Sequence, residues 1–169
     1  MKIEIKEPRV IEAINYTVKR LAELGIDTPA DCTFTPVDAT SYAGYAIYAT
    51  NEIRLSIYIF TSPMRDLYST IAHEILHLVA EKREPGCGHR GAWRRMADYI
   101  NQHTDWNIQR LVQDGEHTEL DDIRKTFPYQ FRCTGCGQMV YRKIRSKFVK
   151  EYEHFHCTKC GGRFEKIKG

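Results

Sequence analysis

The sequence contains no long apolar run, no internal repeat and no segment of low complexity. No stretch approaches the ~20 consecutive apolar residues that a membrane-spanning helix needs. The first seven residues alternate charged side chains with isoleucine, unlike the apolar segment of a secretory signal. These absences argue against any contact with a membrane, and they predict a cytoplasmic protein.

The six cysteines are informative through their spacing. In a reducing compartment, paired cysteines are more often metal ligands than disulfides. Four of the six cysteines form two C-x2-C pairs separated by 20 residues, and these are Cys133, Cys136, Cys157 and Cys160. The spacing predicts a closed zinc site of four thiolates, with His154 and His156 as alternative ligands. The span 139–156 is β-rich and is predicted to supply the strands that join the two pairs.

The two ends of the chain differ in charge. Residues 1–122 hold 13 Lys and Arg against 19 Asp and Glu, a balance of −6, whereas residues 123–169 hold 12 against 3, a balance of +9. This contrast predicts two domains with these bounds, and the acidic stretch 114–122 is predicted to be a hinge between them. The basic C-terminal part has the charge expected of a surface that attracts polyanions.

Periodic apolar residues predict three helices in the first domain, over residues 8–24, 63–83 and 92–113. Between the first two helices, residues 32–37 and 42–60 are rich in Thr, Tyr, Ile and Val, which predicts two or three antiparallel strands. The sequence therefore predicts an α+β protein. In it, helices pack on a small antiparallel sheet and a β-rich four-cysteine ribbon follows.

The second predicted helix carries the pattern H-E-x-x-H at His73, Glu74 and His77. Residues four positions apart lie on one face of a helix, so the two imidazoles can bind one metal ion. Glu74 lies one position further round, close to the metal but not bound to it. The pattern is typical of a catalytic zinc whose bound water gives its proton to a glutamate, here Glu74, and then attacks a peptide carbonyl.

A catalytic zinc site needs a third protein ligand and keeps one position open for water. His89 is the first candidate, because the glycines around it allow the chain to turn back towards the helix. Cys87, Asp98 and His103 are the other candidates. A thiolate from Cys87 would make the ion a weaker Lewis acid.

Cations and aromatic residues alternate inside the ribbon. The cations Arg142, Lys143, Arg145 and Lys147 are candidates for contacting nucleic-acid phosphates. The nearby aromatic residues, which could stack on bases or form the core of the ribbon, are Tyr141, Phe148, Tyr152 and Phe155. Both roles for the rings are consistent with the sequence.

Taken together, these motifs resemble the SprT-like zinc metallopeptidases, which are related to the Spartan proteases that act on DNA–protein crosslinks. The resemblance rests on His73-Glu74-Ile75-Leu76-His77, Gly88-His89-Arg90-Gly91-Ala92-Trp93, Ala43-Gly44-Tyr45-Ala46, Ile53-Arg54-Leu55-Ser56 and the four cysteines with Arg145-Ser146-Lys147 between them. It implies a zincin-like domain over residues 1–122 and a zinc ribbon over residues 123–169. It also implies a catalytic zinc held by His73, His77 and His89, with Glu74 as the base, and a structural zinc in the ribbon.

The activity that the resemblance implies is cleavage of proteins bound or crosslinked to DNA, in the cytoplasm, nucleoid or nucleus. Stacking of the ribbon's aromatic rings on bases would add a preference for single-stranded DNA. One alternative is a nucleic-acid-binding zinc protein with a metallopeptidase fold and little or no turnover. Another is a peptidase whose ribbon docks a partner protein. Glu74 favours an enzyme, because binding zinc requires the histidines but not that carboxylate.

Overall fold

A computed structural model describes residues 1–110 and 118–169. The chain divides into two compact units, Met1–Leu120 and Asp121–Gly169. No helix in the described ranges is long and apolar enough to cross a membrane. The fold is α+β, as the sequence predicts. The predicted hinge over residues 114–122 lies partly outside the described residues, and residues 111–113 at the end of the third predicted helix lie wholly outside them.

The described residues of the first unit form four strands and three α-helices, and a fourth α-helix begins in this unit and ends after residue 120. The strands are β1 (Lys2–Ile3), β2 (Thr33–Val37), β3 (Gly44–Ile47) and β4 (Glu52–Ser56). The helices are α1 (Pro8–Glu23), α2 (Met64–Arg83), α3 (Gly91–His103) and α4 (Thr118–Lys125). The predicted helices over residues 8–24 and 63–83 are confirmed by α1 and α2.

The sheet of the first unit is mixed, with the strand order β1-β2-β4-β3. β1 and β2 are parallel, β2 and β4 are parallel, and only β3 and β4 are antiparallel. The prediction of an antiparallel sheet was therefore wrong. The strand propensities gave no information about strand order: α1 makes the crossover between β1 and β2, and β3 lies at the edge, which places β4 beside β2.

The core lies where α1 and α2 pack against one face of this sheet. Phe34, Ile53 and Leu55 from the strands are fully buried there, as are Ile14 of α1 and Ile75 of α2. Burial of so many apolar side chains along α2 fixes its position beside the sheet. The polar residues of α2 that face the edge strand β3 are consequently held on a rigid support.

The third helix is shorter than predicted, because it ends at His103 and not near residue 113. The Asn101 side chain bonds to both backbone groups of Ile108, with its amide nitrogen 2.9 Å from the carbonyl oxygen and its amide oxygen 2.8 Å from the amide nitrogen. These bonds tie a non-helical segment to α3, and Trp106 and Ile108 in that segment are buried. The apolar residues of this segment continue the helical spacing of α3 in the sequence, although the segment itself is not helical. This spacing made the predicted helix too long.

The second unit is a three-stranded antiparallel sheet with the order β6-β5-β7. Its elements are β5 (Tyr129–Cys133), β6 (Met139–Arg142), the helix α5 (Lys147–Glu151) and β7 (Phe164–Lys168). The prediction of strands throughout 139–156 was wrong in its second half, where α5 and a 3-10 turn over Tyr152–His154 are found. The turn and α5 place Phe148 and Tyr152 against Phe131 of β5.

Candidate metal centres

Three histidine rings converge in the first unit. His73 and His77 lie one turn apart on α2, and His89 lies in the loop between α2 and α3. The Nε2 atom of His77 is 3.2 Å from that of His73 and 3.0 Å from that of His89, and the Nε2 atoms of His73 and His89 are 3.0 Å apart. One metal ion could therefore contact all three nitrogens.

These distances fit zinc. A tetrahedral ion with Zn–N bonds of about 2.0–2.1 Å separates its ligand nitrogens by ~3.3 Å. Burial, and to a smaller extent the neighbouring histidines, lowers the pKa of His73 to about 3. Burial, and to a smaller extent His89, lowers the pKa of His77 to about 4. Burial also lowers the pKa of His89. Neutral imidazoles are the form that binds zinc, so the site is ready for a cation at neutral pH.

The other ring nitrogens of the α2 histidines contact groups that fix their orientation. His73 donates a hydrogen bond to the backbone carbonyl of Gln109, which directs its lone pair towards the other two histidines. The Nδ1 atom of His77 is 3.4 Å from the hydroxyl of Tyr48, which follows the edge strand β3. The Tyr48 contact could not be predicted from the sequence, because nothing distinguishes this tyrosine from the other nine.

Trp93 forms the apolar wall of the histidine site. Its ring centroid lies 4.9 Å from that of His73, 5.6 Å from that of His77 and 4.7 Å from that of His89. Its indole N–H points to the backbone carbonyl of His73, 3.4 Å away. Trp93 is buried in the core of the first unit, so the part of the core that it belongs to adjoins the histidines.

The Glu74 carboxylate is buried beside the edge strand. Its side chain faces Gly44, where an added Cβ would lie 2.7 Å from the Glu74 Cγ and 2.9 Å from its Oε1. Burial raises the pKa of Glu74 to about 8, although the backbone N–H of Ala46, which donates to the carboxylate, acts in the opposite direction. A cation held by the three histidines would lower this pKa again, because nearby positive charge favours the carboxylate.

The other candidates for the third ligand lie outside the histidine group. The Cys87 thiol is in the same loop as His89 but points to the carbonyl of Gly88, 3.7 Å away. Asp98 is exposed and paired with Arg94 at 2.8 Å. The Nδ1 atom of His103 lies 2.8 Å from the carbonyl of Tyr99 on its own helix. The structure therefore brings His89, and none of these three, to His73 and His77.

Four cysteine sulfurs converge in the second unit. They belong to Cys133, Cys136, Cys157 and Cys160. The sulfurs of Cys133 and Cys160 are 3.4 Å apart and those of Cys136 and Cys157 are 3.7 Å apart, close to the ~3.8 Å expected around zinc with Zn–S bonds of about 2.3 Å. His154 and His156, the alternative ligands, are exposed and lie outside this group.

Backbone amides prepare the cysteine site for a cation. The N–H of Gly135 donates to the sulfur of Cys133, and the N–H of Gly162 donates to that of Cys160, both at 3.4 Å. Hydrogen bonds from the backbone of Cys136, and to a smaller extent of Gly135, lower the pKa of the Cys133 thiol to about 7. A Cβ at Gly162 would lie 2.9 Å from the Cys133 sulfur, so the close approach of the two turns requires glycine.

The candidate phosphate-binding cations are all exposed. Arg142 ends β6, Lys147 begins α5, and Lys143 and Arg145 lie in the segment between them. The Arg142 guanidinium packs over the Phe148 ring at 5.1 Å. The cations therefore lie close together along the chain, on the surface of the second unit.

The neighbouring aromatic rings are mostly structural. Phe148 contacts the rings of Phe131, Phe155 and Phe164 at centroid distances of 5.0–5.3 Å, and Tyr152 contacts Phe131 at 5.0 Å. These rings form the small core of the second unit, which was one of the two roles that the sequence left open. Their packing removes much of the support for base stacking by Phe148, Tyr152 and Phe155.

The first unit is thus an α+β fold with a three-histidine site beside a buried glutamate. A family model, that of the SprT-like family, matches residues 18–114. The chain belongs to the SprT-like family, as its motifs predict. No curated protein matched the sequence. The family match is consistent with a metallopeptidase-like domain.

Proposed function

We propose that the protein is a zinc-dependent endopeptidase with a zincin-like domain over residues 1–122. The single observation that carries this proposal is the buried carboxylate of Glu74, the residue that follows His73 on α2, in the same domain as three convergent histidine nitrogens. His73, His77 and His89 would hold the catalytic zinc. The four cysteines of the ribbon, residues 123–169, would hold a second, structural zinc.

The donor set suits a catalytic site. Three neutral nitrogens leave one tetrahedral position for water or substrate, whereas four thiolates leave none. When bound by the histidines, zinc supplies Lewis acidity towards a water molecule and a peptide carbonyl. The two candidate sites therefore differ in their expected chemistry, although both would hold the same ion.

Glu74 is assigned the role of general base. Its carboxylate is held by the Ala46 N–H and by close packing on Gly44, which restrict it to one position beside the histidines. There it can accept a proton from the attacking water and pass it to the leaving amine. A protein that only bound zinc would have no use for a buried carboxylate at this position, because burying it is costly.

The position of β3 at the edge of the sheet is an argument for a polypeptide substrate. β3 pairs with β4 on one side and lies at the end of the sheet. Because antiparallel pairing alternates, and Ala43 bonds to Ser56 of β4, the backbone groups of Gly44 and Ala46 point away from β4. Because the Ala46 N–H donates to Glu74, an extended substrate could add to this edge by main-chain hydrogen bonds to Gly44 and to the Ala46 carbonyl, with its scissile bond close to Glu74.

The ribbon is proposed to bind DNA through Arg142, Lys143, Arg145 and Lys147. Residues 123–169 carry a balance of +9, and four thiolates with one zinc ion would still leave +7. The resemblance to Spartan-related proteins favours substrates bound or crosslinked to DNA, in the cytoplasm, nucleoid or nucleus. Because most ribbon rings are packed, we assign the affinity to the cations and leave a preference for single strands to measurement.

A first test is zinc-dependent cleavage. The zinc-loaded protein should cleave a DNA-binding protein, and faster when both are on DNA, because the shared strand raises their effective concentration. A chelator should stop cleavage before it removes the ribbon zinc, since an open three-histidine site exchanges more easily than a closed thiolate site. Cleavage that persists after the histidine site has been emptied would contradict the proposal.

A second test separates DNA binding from chemistry. Replacing Arg142, Lys143, Arg145 and Lys147 together with Ala should weaken DNA affinity by at least ~10-fold at low salt and flatten its salt dependence, because fewer counterions are released. Cleavage of a short unattached peptide should be unchanged. Single-stranded and duplex DNA are compared in the same titration. Unaltered affinity for both would favour a ribbon that docks a partner protein.

The alternative of a zinc protein with little or no turnover makes a different prediction for the same preparations. It would bind DNA and two zinc ions but cleave neither the DNA-bound protein nor the peptide. DNA binding alone therefore does not distinguish the two functions, and the cleavage measurement does.

A further inference from the structure

His89 differs from the other two histidines in its support. His73 and His77 stand on the buried helix α2, whereas His89 stands on an exposed loop that joins Arg83 to Gly91. The rigidity of α2 does not by itself place the third ring nitrogen. Some other contact must hold this loop in the conformation that brings His89 within 3.0 Å of its neighbours.

Glu84 makes that contact. It is the first residue after α2, and its carboxylate oxygen Oε2 accepts a hydrogen bond of 2.8 Å from the backbone N–H of Ala92 in the first turn of α3. The same oxygen is 3.0 Å from the guanidinium of Arg95. Arg90, at the N-cap position of α3, makes no side-chain cap. Glu84 thus caps α3 from the opposite end of the loop, and this contact holds the two ends of the loop together.

Two further features show that the loop is built around acidic side chains at the end of α2. Gly91 has a φ of +46°, and a Cβ there would lie 2.6 Å from the Glu84 Cδ, so glycine leaves the space that the carboxylate fills. Glu81, one turn earlier on α2, accepts a hydrogen bond of 2.9 Å from the N–H of Gly86. Hydrogen bonds to Glu81 and Glu84 therefore hold the loop near both of its ends, and His89 lies between these two contacts.

We propose that Glu84 is a positioning residue that sets the zinc affinity of the histidine site by closing the loop that carries His89. The inference rests on the proposed zinc site. Without the Glu84 contacts, the loop would have to be ordered each time zinc binds, and that entropic cost would weaken binding. Glu84 acts through the backbone and does not contact the ion.

The test is the zinc dissociation constant of the full-length Glu84→Ala protein, measured by competition with a chromophoric chelator. The constant at the histidine site should rise about 10-fold, as for other residues that orient ligands. Asp98→Ala is the matched control. Like Glu84, Asp98 is half-exposed and pairs with an arginine, and its replacement also removes one negative charge. It should bind zinc like the unaltered protein.

Glu84→Gln gives a graded second variant, since its amide oxygen can still accept from Ala92 while its pairing with Arg95 is weakened. Its affinity should fall between those of the wild type and Glu84→Ala. Cobalt substitution distinguishes the two metal sites, because only the cysteine site gives absorption bands from thiolate ligands. The thiolate bands should be the same in every variant.

A purely structural role gives a different pattern. It would lower the melting temperature of the zinc-free protein but leave the zinc-induced rise in melting temperature unchanged. That result, or equal zinc affinity in Glu84→Ala and Asp98→Ala, would overturn the inference and leave the proposed function standing. Absence of metal binding by the histidines of the unaltered protein would overturn both.

Discussion

Glu74→Gln should abolish proteolysis while the histidine site keeps its zinc. Glutamine has the size of glutamate and can still accept the hydrogen bond from Ala46, but its amide cannot take a proton from water at neutral pH. General-base losses of this kind lower rates by ~10²–10⁴-fold, so turnover should fall at least ~10²-fold. The measurement is cleavage of a peptide by protein whose zinc content has been counted.

Two companion variants sharpen this result. Glu12→Gln makes the same chemical change at an exposed position of α1 and should leave turnover unchanged. Gly44→Ala would push a Cβ against the buried Glu74 side chain and should also reduce turnover with zinc retained. If Glu74→Gln kept more than a tenth of the activity at full zinc occupancy, another group would have to be the base.

His89→Ala should instead lose the metal. Loss of a residue that merely orients a ligand weakens zinc binding about 10–100-fold, so loss of a ligand itself should weaken it by more than ~100-fold. Peptidase activity should disappear at limiting zinc and return only in part at high zinc. The ribbon zinc should remain, because its four sulfurs belong to the other compact unit.

His103→Ala is the matched control for this substitution. His103 is an exposed histidine whose ring contacts the Tyr99 carbonyl of its own helix, and it was a sequence-based alternative for the third ligand. Its replacement should leave zinc affinity unchanged. Full zinc occupancy in His89→Ala would contradict the assignment and direct attention to Cys87, which lies in the same loop.

The parts of the candidate sites that could be predicted from the sequence are those set by local geometry. Two histidines four residues apart on a helix must lie on one face, so the pairing of His73 with His77 follows from spacing alone. In the same way, a C-x2-C turn brings its own two sulfurs together. Convergence of the two cysteine pairs, and of His89 on the helix, required the longer-range fold.

Predictions failed where local preference was outweighed by tertiary packing. β2 and β4 have ordinary strand composition, and only their places in the sheet make them parallel. The segment after α3 has helix-like apolar spacing, but the Asn101 side chain bonds to both backbone groups of Ile108, and the segment is not helical. Phe148 lies among cations in the sequence, yet it is half-buried and packs against other rings of the ribbon.

The sequence by itself determined which residues can be ligands, where the helix that carries His73 and His77 begins, and that the chain is SprT-like. Ligand chemistry and helical spacing depend only on near neighbours in the chain. The tertiary structure decided which groups surround those ligands. Tyr48 reaches His77 across 29 positions of sequence, and Gly44 lies against Glu74 only because β3 is the edge strand beside α2. Contacts between distant segments depend on strand order and helix packing, and these are fixed by burial of the whole core.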